Sequence, residues 1–391
     1  MIFMEKYDAI VIGAGPAGAC AAYLLAKYGI RVLVIDKEHF PRCKPCAGGF
    51  TSKTLKSFDF SITEEIRYIT KSIVVSYKGD VFHKISGNKV LTEMVERTDF
   101  DHFFINKAIS SGAKFLDGIK VEKISRENGE FIVETNEQVF RCEYLVGADG
   151  ANSIVNRTFN IVEKDIYGFA VETNCPVSRE LIGNFNMSFD FGVIPNGYLW
   201  IFPKDEYLCI GAYTANKKMK HINKYLAEYI EKLGLLPESE KFMGHITPFY
   251  GIHYKQPDYA CILVGDAAGF VDYWTGEGVY YAVKSGTIAA EVILSSINAA
   301  SFQSELLQKR YDREIIQGLK LGYYIGKTFY NYLPRTFNVL MTFLPSGILY
   351  EVFSRGFTYD QVFSKIHIIV LSLLLNRSGI SNKKYYANNH G

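Results

Sequence analysis

Residues 13–18, which read GAGPAG, have the spacing of a nucleotide-binding turn. They follow the apolar run 7–12 and precede a stretch, 19–28, whose composition favours a helix. Glycines at these positions permit a tight turn, let the backbone approach a pyrophosphate and allow close helix packing, while the helix N-terminus faces the anion. Asp36 ends the next apolar segment, 31–35, where a carboxylate accepts hydrogen bonds from a ribose. The pattern predicts dinucleotide binding, with a glycine-rich turn that holds no ligand as the alternative.

Two later segments place a carboxylate just after an apolar strand. Asp149 stands in the sequence GADG at 147–150, and Asp266 stands in VGDAAG at 264–269. With these segments the chain resembles the FAD-binding superfamily of aromatic hydroxylases, halogenases and geranylgeranyl reductases. The resemblance implies that the cofactor is FAD, that Asp266 holds its ribityl chain, and that the following helix directs its N-terminus at the flavin ring. A positive helix end stabilises negative charge at N1 of reduced flavin and so favours hydride storage.

Narrower motifs resemble the geranylgeranyl reductases within that superfamily. Residues 195–203, PNGYLWIFP, match every fixed position of the family's P-x-x-Y-x-W-x-F-P signature. Segment 44–49 (KPCAGG) is similar to the family's cysteine-containing segment beside the flavin, and 276–279 (GEGV) to its flavin-proximal turn. Residues 97–101 (RTDFD) resemble an arginine-containing FAD segment of the larger group. The resemblance extends roughly over residues 7–286.

The motifs and the resemblance together indicate three sets of site residues. The catalytic candidates are Cys46, Tyr198 and Trp200. The residues expected to line the substrate site are Tyr198, Trp200, Phe202 and Trp274. The residues expected to bind FAD are Gly13, Gly15, Ala17, Gly18, Asp36, Lys37, Arg42, Cys46, Ala47, Gly49, Arg97, Val121, Asp149, Asp266, Gly278 and Val279.

The signature has a physical rationale. On a strand, Tyr198, Trp200 and Phe202 alternate onto one face and form an aromatic wall. An isolated isoprenoid alkene has no carbonyl to activate it, so hydride transfer is easiest when the other carbon is protonated as the hydride arrives. An aromatic wall stabilises the resulting cationic character by ~1–2 kcal/mol when desolvated. The alternative is the ordinary aromatic face of a sheet core.

One segment departs from the family pattern. The family usually has Asn-Pro before the Gly-Glu-Gly turn, whereas residues 271–275 read VDYWT here. We expect the bulky Trp274 to shorten or re-aim the substrate channel, which leaves the cofactor assignment intact.

The cysteine pair Cys43 and Cys46 allows several interpretations. A metal site would need two further ligands at matching spacing, and none stands out, so no metal is expected. A redox pair stays open. We favour Cys46 as a contact on the flavin side, with a role as proton donor or redox switch. The remaining cysteines are expected to lie in the core, and four histidines are expected to be structural: His83, His102, His245 and His253.

The elements that must position these residues indicate an α/β protein. A strand–turn–helix–turn–strand unit opens the chain, residues 167–249 are mostly β, and everything beyond Gln303 is helical in pattern. We therefore expect a discontinuous Rossmann-like FAD-binding domain, an inserted antiparallel β-sheet substrate domain and a helical C-terminal region. Their predicted bounds are 1–71, 98–166 and 255–300 for the first, 72–97 and 167–254 for the second, and 301–391 for the third.

Composition and net charge indicate the cellular compartment and the classes of binding partner. The 391 residues carry a net charge of only +2, which gives no sign of nucleic-acid binding. Seven cysteines and the absence of a secretory apolar region favour the cytoplasm. Residues 301–391 hold eleven Lys or Arg against five Asp or Glu, which suits anionic lipid headgroups or a solvated helix face. The longest apolar run, 366–375, is half of what a spanning helix needs, so any membrane contact would be peripheral, on the inner face of the cell membrane.

The resulting hypothesis is flavin-dependent reduction of C=C bonds in a geranylgeranyl or other polyprenyl lipid. No second glycine-rich nucleotide turn is present, so an external electron donor is expected, either NAD(P)H or ferredoxin. Two alternatives stay open. One is an FAD-dependent monooxygenase or halogenase on the same fold, and the other is a non-catalytic carrier of prenyl lipid that holds FAD.

Overall fold

The computed structural model describes residues 4–239, 241–343 and 346–362. Its strands are β1 (Glu5–Ile12), β2 (Val32–Ile35), β3 (Gly49–Thr51), β4 (Ile66–Thr70), β5 (Ser72–Tyr77), β6 (Asp80–Ser86), β7 (Thr92–Val95), β8 (Lys114–Leu116), β9 (Val121–Glu127), β10 (Glu130–Thr135), β11 (Val139–Gly147), β12 (Tyr167–Pro176), β13 (Met187–Phe191), β14 (Gly197–Pro203), β15 (Tyr207–Thr214), β16 (Met243–Pro248) and β17 (Cys261–Leu263). Its α-helices are α1 (Pro16–Lys27), α2 (Ser52–Leu55), α3 (Arg97–Ser110), α4 (Ile154–Phe159), α5 (Arg179–Ile182), α6 (Ile222–Lys232), α7 (Val279–Asn298), α8 (Ser304–Tyr311), α9 (Gln317–Asn331), α10 (Arg335–Phe343) and α11 (Ser346–Arg355).

The first sheet has seven strands and carries the nucleotide-binding turn. Its order is β8-β2-β1-β11-β10-β9, and β17 pairs in parallel with the end of β11. Strands β8, β2, β1 and β11 run parallel, so their carboxyl ends meet at one edge. Strand β2 and the second halves of β1 and β11 are apolar and buried, because helices cover both faces of the sheet there. The arrangement confirms the predicted discontinuous α/β fold.

The second sheet also has seven strands, in the order β16-β12-β15-β14-β13-β5-β6. Strands β5 and β6 form a hairpin, and its turn residues Lys78 and Gly79 both have positive φ, 53° and 89°. The sheet is not wholly antiparallel, since β5 and β13 run parallel. This pairing joins the hairpin of β5 and β6 to β13, which follows it by more than a hundred residues in the chain. Residues 92–95 belong instead to a small third sheet, β3-β7-β4.

Three apolar clusters hold these layers together. One packs α1, α3 and α7 against the first sheet. A second lies between one face of the second sheet and helices α9 and α10, and a third lies between the other face and α6. Because both faces of the second sheet are covered, strand β14 is buried along its whole length. The domain bounds proposed above stay a prediction.

The described part of the C-terminal region is helical, as expected. Across residues 4–239, 241–343 and 346–362 no single helix is long and apolar enough to cross a membrane. One pair, Arg335–Thr342 with Ser346–Arg355, meets the length and composition requirement only when taken together, and it is bent by 86°. The apolar run 366–375 lies outside the described residues.

Candidate functional site

A cleft of about 1030 Å³ opens at the carboxyl ends of the parallel strands. Ile12 at the end of β1 and Ile35 at the end of β2 line it, together with Ala148, which follows β11. In open α/β sheets, ligands bind at this edge, where neighbouring loops leave a crevice. Motifs that are far apart in the sequence therefore lie side by side in this cleft.

The glycine turn has the geometry that the sequence predicts. Gly13 has φ +101°, and a Cβ atom there would lie 2.3 Å from the carbonyl oxygen of Ala148. A Cβ on Gly18 would lie 1.9 Å from the carbonyl oxygen of Gly13. Asp36 supports the turn, because its Oδ2 accepts the backbone N–H of Ala14 at 2.7 Å. Asp36 thus fixes the turn as well as facing the cleft.

Three buried polar atoms on the cleft wall have no hydrogen-bond partner among the described residues: Arg42 Nη1, Asp149 Oδ1 and Thr247 Oγ1. The other oxygen of Asp149 accepts the backbone N–H of Ile154 at 2.6 Å, and burial raises the pKa of this carboxyl group. Buried polar groups without partners are rare, since each costs free energy unless a ligand satisfies it. A polar ligand in the cleft would satisfy all three, which fits the phosphates, ribose and ribityl chain of FAD.

Asp101 is the anchor of two arginines that line the cleft. It is fully buried and accepts two hydrogen bonds from Arg97, both 2.8 Å, while Arg42 Nη2 lies 2.9 Å from its Oδ2. Burial opposes the charge of Arg97, but Asp101 and the Cys46 side chain outweigh it and raise the pKa of the guanidinium. Sequence reasoning placed Asp101 in a motif without assigning it a role. Asp101 therefore holds both cations on the cleft wall.

Cys46 lines the cleft, and its backbone N–H donates to Glu172 Oε1 at 2.6 Å. His245, on β16, also lines the cleft. Burial, with Lys44 and Arg97 nearby, lowers the pKa of His245 to about 3, so this imidazole is neutral at physiological pH. The expectation that His245 is structural stays a prediction.

The predicted aromatic wall exists but lies beside the cleft. Tyr198, Trp200 and Phe202 share one face of β14 and are 7%, 5% and 8% exposed. They pack in the cluster beneath α9 and α10, and they are not among the residues that line the cleft. Tyr198 donates its hydroxyl to the carbonyl oxygen of Thr275, and a Cβ on Gly276, which lines the cleft, would lie 3.3 Å from that hydroxyl. Tyr198 of the wall therefore contacts the turn at Gly276, which lines the cleft.

Trp274 packs on the far side of the same turn. Its carbonyl oxygen accepts the hydroxyl of Tyr330 at 2.6 Å, and a Cβ on Gly326 would lie 2.8 Å from its own Cβ. The ring contacts Phe329 on α9 with a centroid distance of 5.5 Å. Trp274 therefore fills the space between the second sheet and the C-terminal helices.

Thirteen of the residues expected to bind FAD line the cleft: Gly13, Gly15, Ala17, Asp36, Lys37, Arg42, Cys46, Arg97, Val121, Asp149, Asp266, Gly278 and Val279. Gly18, Ala47 and Gly49 lie behind it. Gly49 lets the segment approach the wall, since a Cβ there would lie 2.6 Å from the Phe202 ring. Within the described residues no three His, Cys, Asp or Glu side chains are grouped to hold a metal ion. The role of each residue stays a prediction.

Comparison with known proteins agrees with this geometry. Residues 6–174 match the family described as FAD binding domain. A digeranylgeranylglycerophospholipid reductase of Methanocaldococcus jannaschii is 33% identical over 79% of this chain and 82% of its own length. An uncharacterized protein of Methanosarcina barkeri is 67% identical over 99% of this chain and 100% of its own. A geranylgeranyl bacteriochlorophyll reductase-like structure from Thermoplasma acidophilum has the same fold, with a TM-score of 0.76 at 20% identity over 94% of this chain and 100% of that one.

The cleft, the order of its motifs and the relatives lead to one assignment: the chain belongs to the geranylgeranyl reductase family of FAD-dependent oxidoreductases.

Proposed function

We propose that this protein reduces C=C bonds of a geranylgeranyl or related polyprenyl lipid, of the kind found in archaeal ether lipids. The observation that supports this most is the aromatic wall of β14, which lies against the Gly276 turn of the FAD cleft. Bound FAD would supply the hydride. The protein would supply a dry, aromatic surface for the alkene and a proton for its second carbon.

The residues divide into two roles in this proposal. Arg42, Arg97 and Asp149 hold the cofactor, because their polar groups line the cleft. Cys46 is the candidate proton donor, since its side chain is on the cleft wall beside Arg97. Trp200 belongs to the wall, which is closely packed by α9 and α10 in this arrangement. The prenyl chain would enter by replacing part of that packing, with Trp274 limiting its path.

The proposed partners follow from charge and exposure. Along α9, α10 and the link between them, Lys327, Tyr332 and Arg335 are exposed, a mixture suited to an anionic lipid surface. We propose a cytoplasmic protein that contacts the inner face of the membrane peripherally and serves phospholipid biosynthesis. Its reducing equivalents would come from an external donor, NAD(P)H or ferredoxin.

Anaerobic reoxidation of the flavin tests the proposal. Dithionite-reduced protein mixed with a geranylgeranyl lipid should regain the absorbance of oxidised FAD without air. A lipid carrier would bind the lipid and leave the flavin reduced. A monooxygenase or halogenase would need oxygen for reoxidation and would yield an oxygenated or halogenated product.

Replacing Cys46 with serine should slow this lipid-dependent reoxidation while leaving FAD bound. A hydroxyl is a poorer proton donor than a thiol, and loss of a positioned acid costs on the order of 10²-fold in rate. Cys43→Ser is the comparison, because Cys43 also lines the cleft but its exposed thiol lies against the sulfur of Met243, at 3.9 Å. Stopped-flow absorbance measures both variants. Unchanged reoxidation in Cys46→Ser, or equal slowing in Cys43→Ser, would remove Cys46 from the proton-transfer step.

A further inference from the structure

A buried carboxyl group lies directly behind the cysteine segment of the cleft. Glu172, on β12, is 5% exposed, and its Oε1 accepts the backbone N–H of Cys46 at 2.6 Å. Cys46 itself lines the cleft. The amide nitrogen and the sulfur of one cysteine are only three bonds apart, so the carboxyl group is within about 7 Å of the thiol. Glu172 therefore contacts a residue that lines the cleft in which FAD would bind.

A buried lysine fixes the same segment from its other end. Lys204 is 2% exposed, donates to the carbonyl oxygen of Val95 and lies 3.3 Å from Glu96. A Cβ on Gly48 would lie 2.7 Å from Lys204 Nζ, so the segment passes directly over this ammonium group. The cysteine segment is therefore held between one buried carboxyl group and one buried cation. Burial of these two charged groups carries a desolvation penalty, which suggests that the arrangement has a function.

Several charged and titratable groups surround Glu172. The cations Lys204, Lys44 and Arg97 favour its ionised form, and so does the N–H of Cys46. Lys204 is partly neutralised by Glu96. Tyr207 and Cys209 on β15 are neutral neighbours, since burial raises the pKa of both. Burial of Glu172 outweighs the cations and raises its pKa to about 7.

We propose that Glu172 is a positioning residue whose protonation state tunes the FAD cleft through the Cys46 segment. As a neutral acid it anchors the Cys46 backbone without adding charge. Once ionised it places a negative charge behind the cleft wall, which disfavours the negatively charged reduced flavin. The proposal depends on FAD binding but not on which alkene is reduced, so it can fail or hold independently of the proposed function.

The reduction potential of bound FAD, measured against pH without any lipid, tests this. In the wild-type protein the potential should fall more steeply above about pH 7 than below it, because Glu172 ionises there. Glu172→Gln keeps an oxygen that can accept the Cys46 N–H but cannot ionise. Its reduction potential should equal that of the wild type near pH 5.5. Near pH 8.5 its potential should be higher, by an amount that corresponds to an about tenfold larger ratio of reduced to oxidised FAD under the same conditions.

Asp190→Asn is the matched control. Asp190 is also a buried carboxyl group, 2% exposed, that accepts a backbone N–H, from Gly79 at 3.1 Å, and burial raises its pKa too. It lies on β13, at the hairpin turn instead of the cleft. Its replacement should leave the potential unchanged at every pH. A pH-independent offset in Glu172→Gln, or the same pH-dependent change in Asp190→Asn, would overturn the proposal.

The melting temperature, measured against pH, is a second test of the proposal, and the direction of the expected change follows from the pKa of Glu172. The folded-state pKa of Glu172 lies above the unfolded value, so its contribution to stability is full below the unfolded pKa and is lost as the pH rises through about 7. Glu172→Gln should therefore gain more melting temperature relative to wild type near pH 8.5 than near pH 5.5, and none below pH 4. If that variant does not retain FAD, Lys204→Gln serves instead. Removal of this cation should raise the pH at which the slope of the reduction potential against pH becomes steeper. An unchanged pH for this transition would refute the proposal.

Discussion

Replacement of Gly13 by alanine will weaken FAD binding by at least about 100-fold, which corresponds to roughly 2.7 kcal/mol. Gly13 has φ +101°, a conformation that alanine adopts only with strain. The added Cβ would also lie 2.3 Å from the carbonyl oxygen of Ala148, so the loop that carries Asp149 must move. Both sides of the cofactor cleft would then shift apart. Fluorescence titration of the apoprotein with FAD measures the loss.

Gly29→Ala is the control for backbone strain alone. Gly29 follows α1 with φ +80°, and no atom lies within 4 Å of the Cβ that the substitution would add. It should cost about 1 kcal/mol of stability and leave FAD affinity unchanged. Equal FAD affinity in Gly13→Ala and the wild type would show that the glycine turn does not contact the cofactor.

Replacement of Trp200 by alanine will lower the free energy of unfolding by about 3–5 kcal/mol and abolish most of the alkene reduction. The indole packs over Gly211, where a Cβ would lie 2.1 Å from its Cζ2, and it contacts the rings of Tyr198 and Phe202. Truncation would leave a cavity in the wall and remove the aromatic surface beside the cleft. Urea denaturation measures the first effect, and lipid-dependent flavin reoxidation at a temperature where the variant is folded measures the second.

Leu199→Ala separates packing from function. Leu199 is the neighbour of Trp200 on the opposite face of β14, fully buried in the cluster beneath α6. Its truncation should cost a similar 2–5 kcal/mol but leave the rate of alkene reduction within about twofold of wild type. If both folded variants lose the same fraction of activity, the wall has only a structural role.

The elements that position the cofactor were predictable because their signals are local. The turn at 13–18 lies between a strand and a helix, and Gly13 within it has the positive φ that glycine readily adopts. Strand β11 has a weaker local signal, because only its second half is apolar. Its first half alternates, with Phe140 and Cys142 buried and Arg141 between them partly exposed, and the charged residues masked the pattern.

The rest of the site depends on contacts between residues far apart in the chain. The pair Arg97 and Asp101 is four residues apart on α3 and so has a local signal, but none shows that Asp101 also holds Arg42, or that Glu172 meets the backbone of Cys46 126 residues away. A charged residue inside an otherwise apolar strand was the available hint for Glu172. For Trp274, the sequence predicted a position near the flavin turn, but its packing against Gly326 required the fold of the C-terminal helices.

Mass spectrometry of a geranylgeranyl lipid after anaerobic mixing with the dithionite-reduced, FAD-loaded protein tests the central claim most directly. Lipid-dependent oxidation of the flavin should be accompanied by lipid that has gained two hydrogens for each double bond reduced. Lipid of unchanged mass beside flavin that stays reduced would contradict the assignment of this protein as a prenyl-lipid reductase.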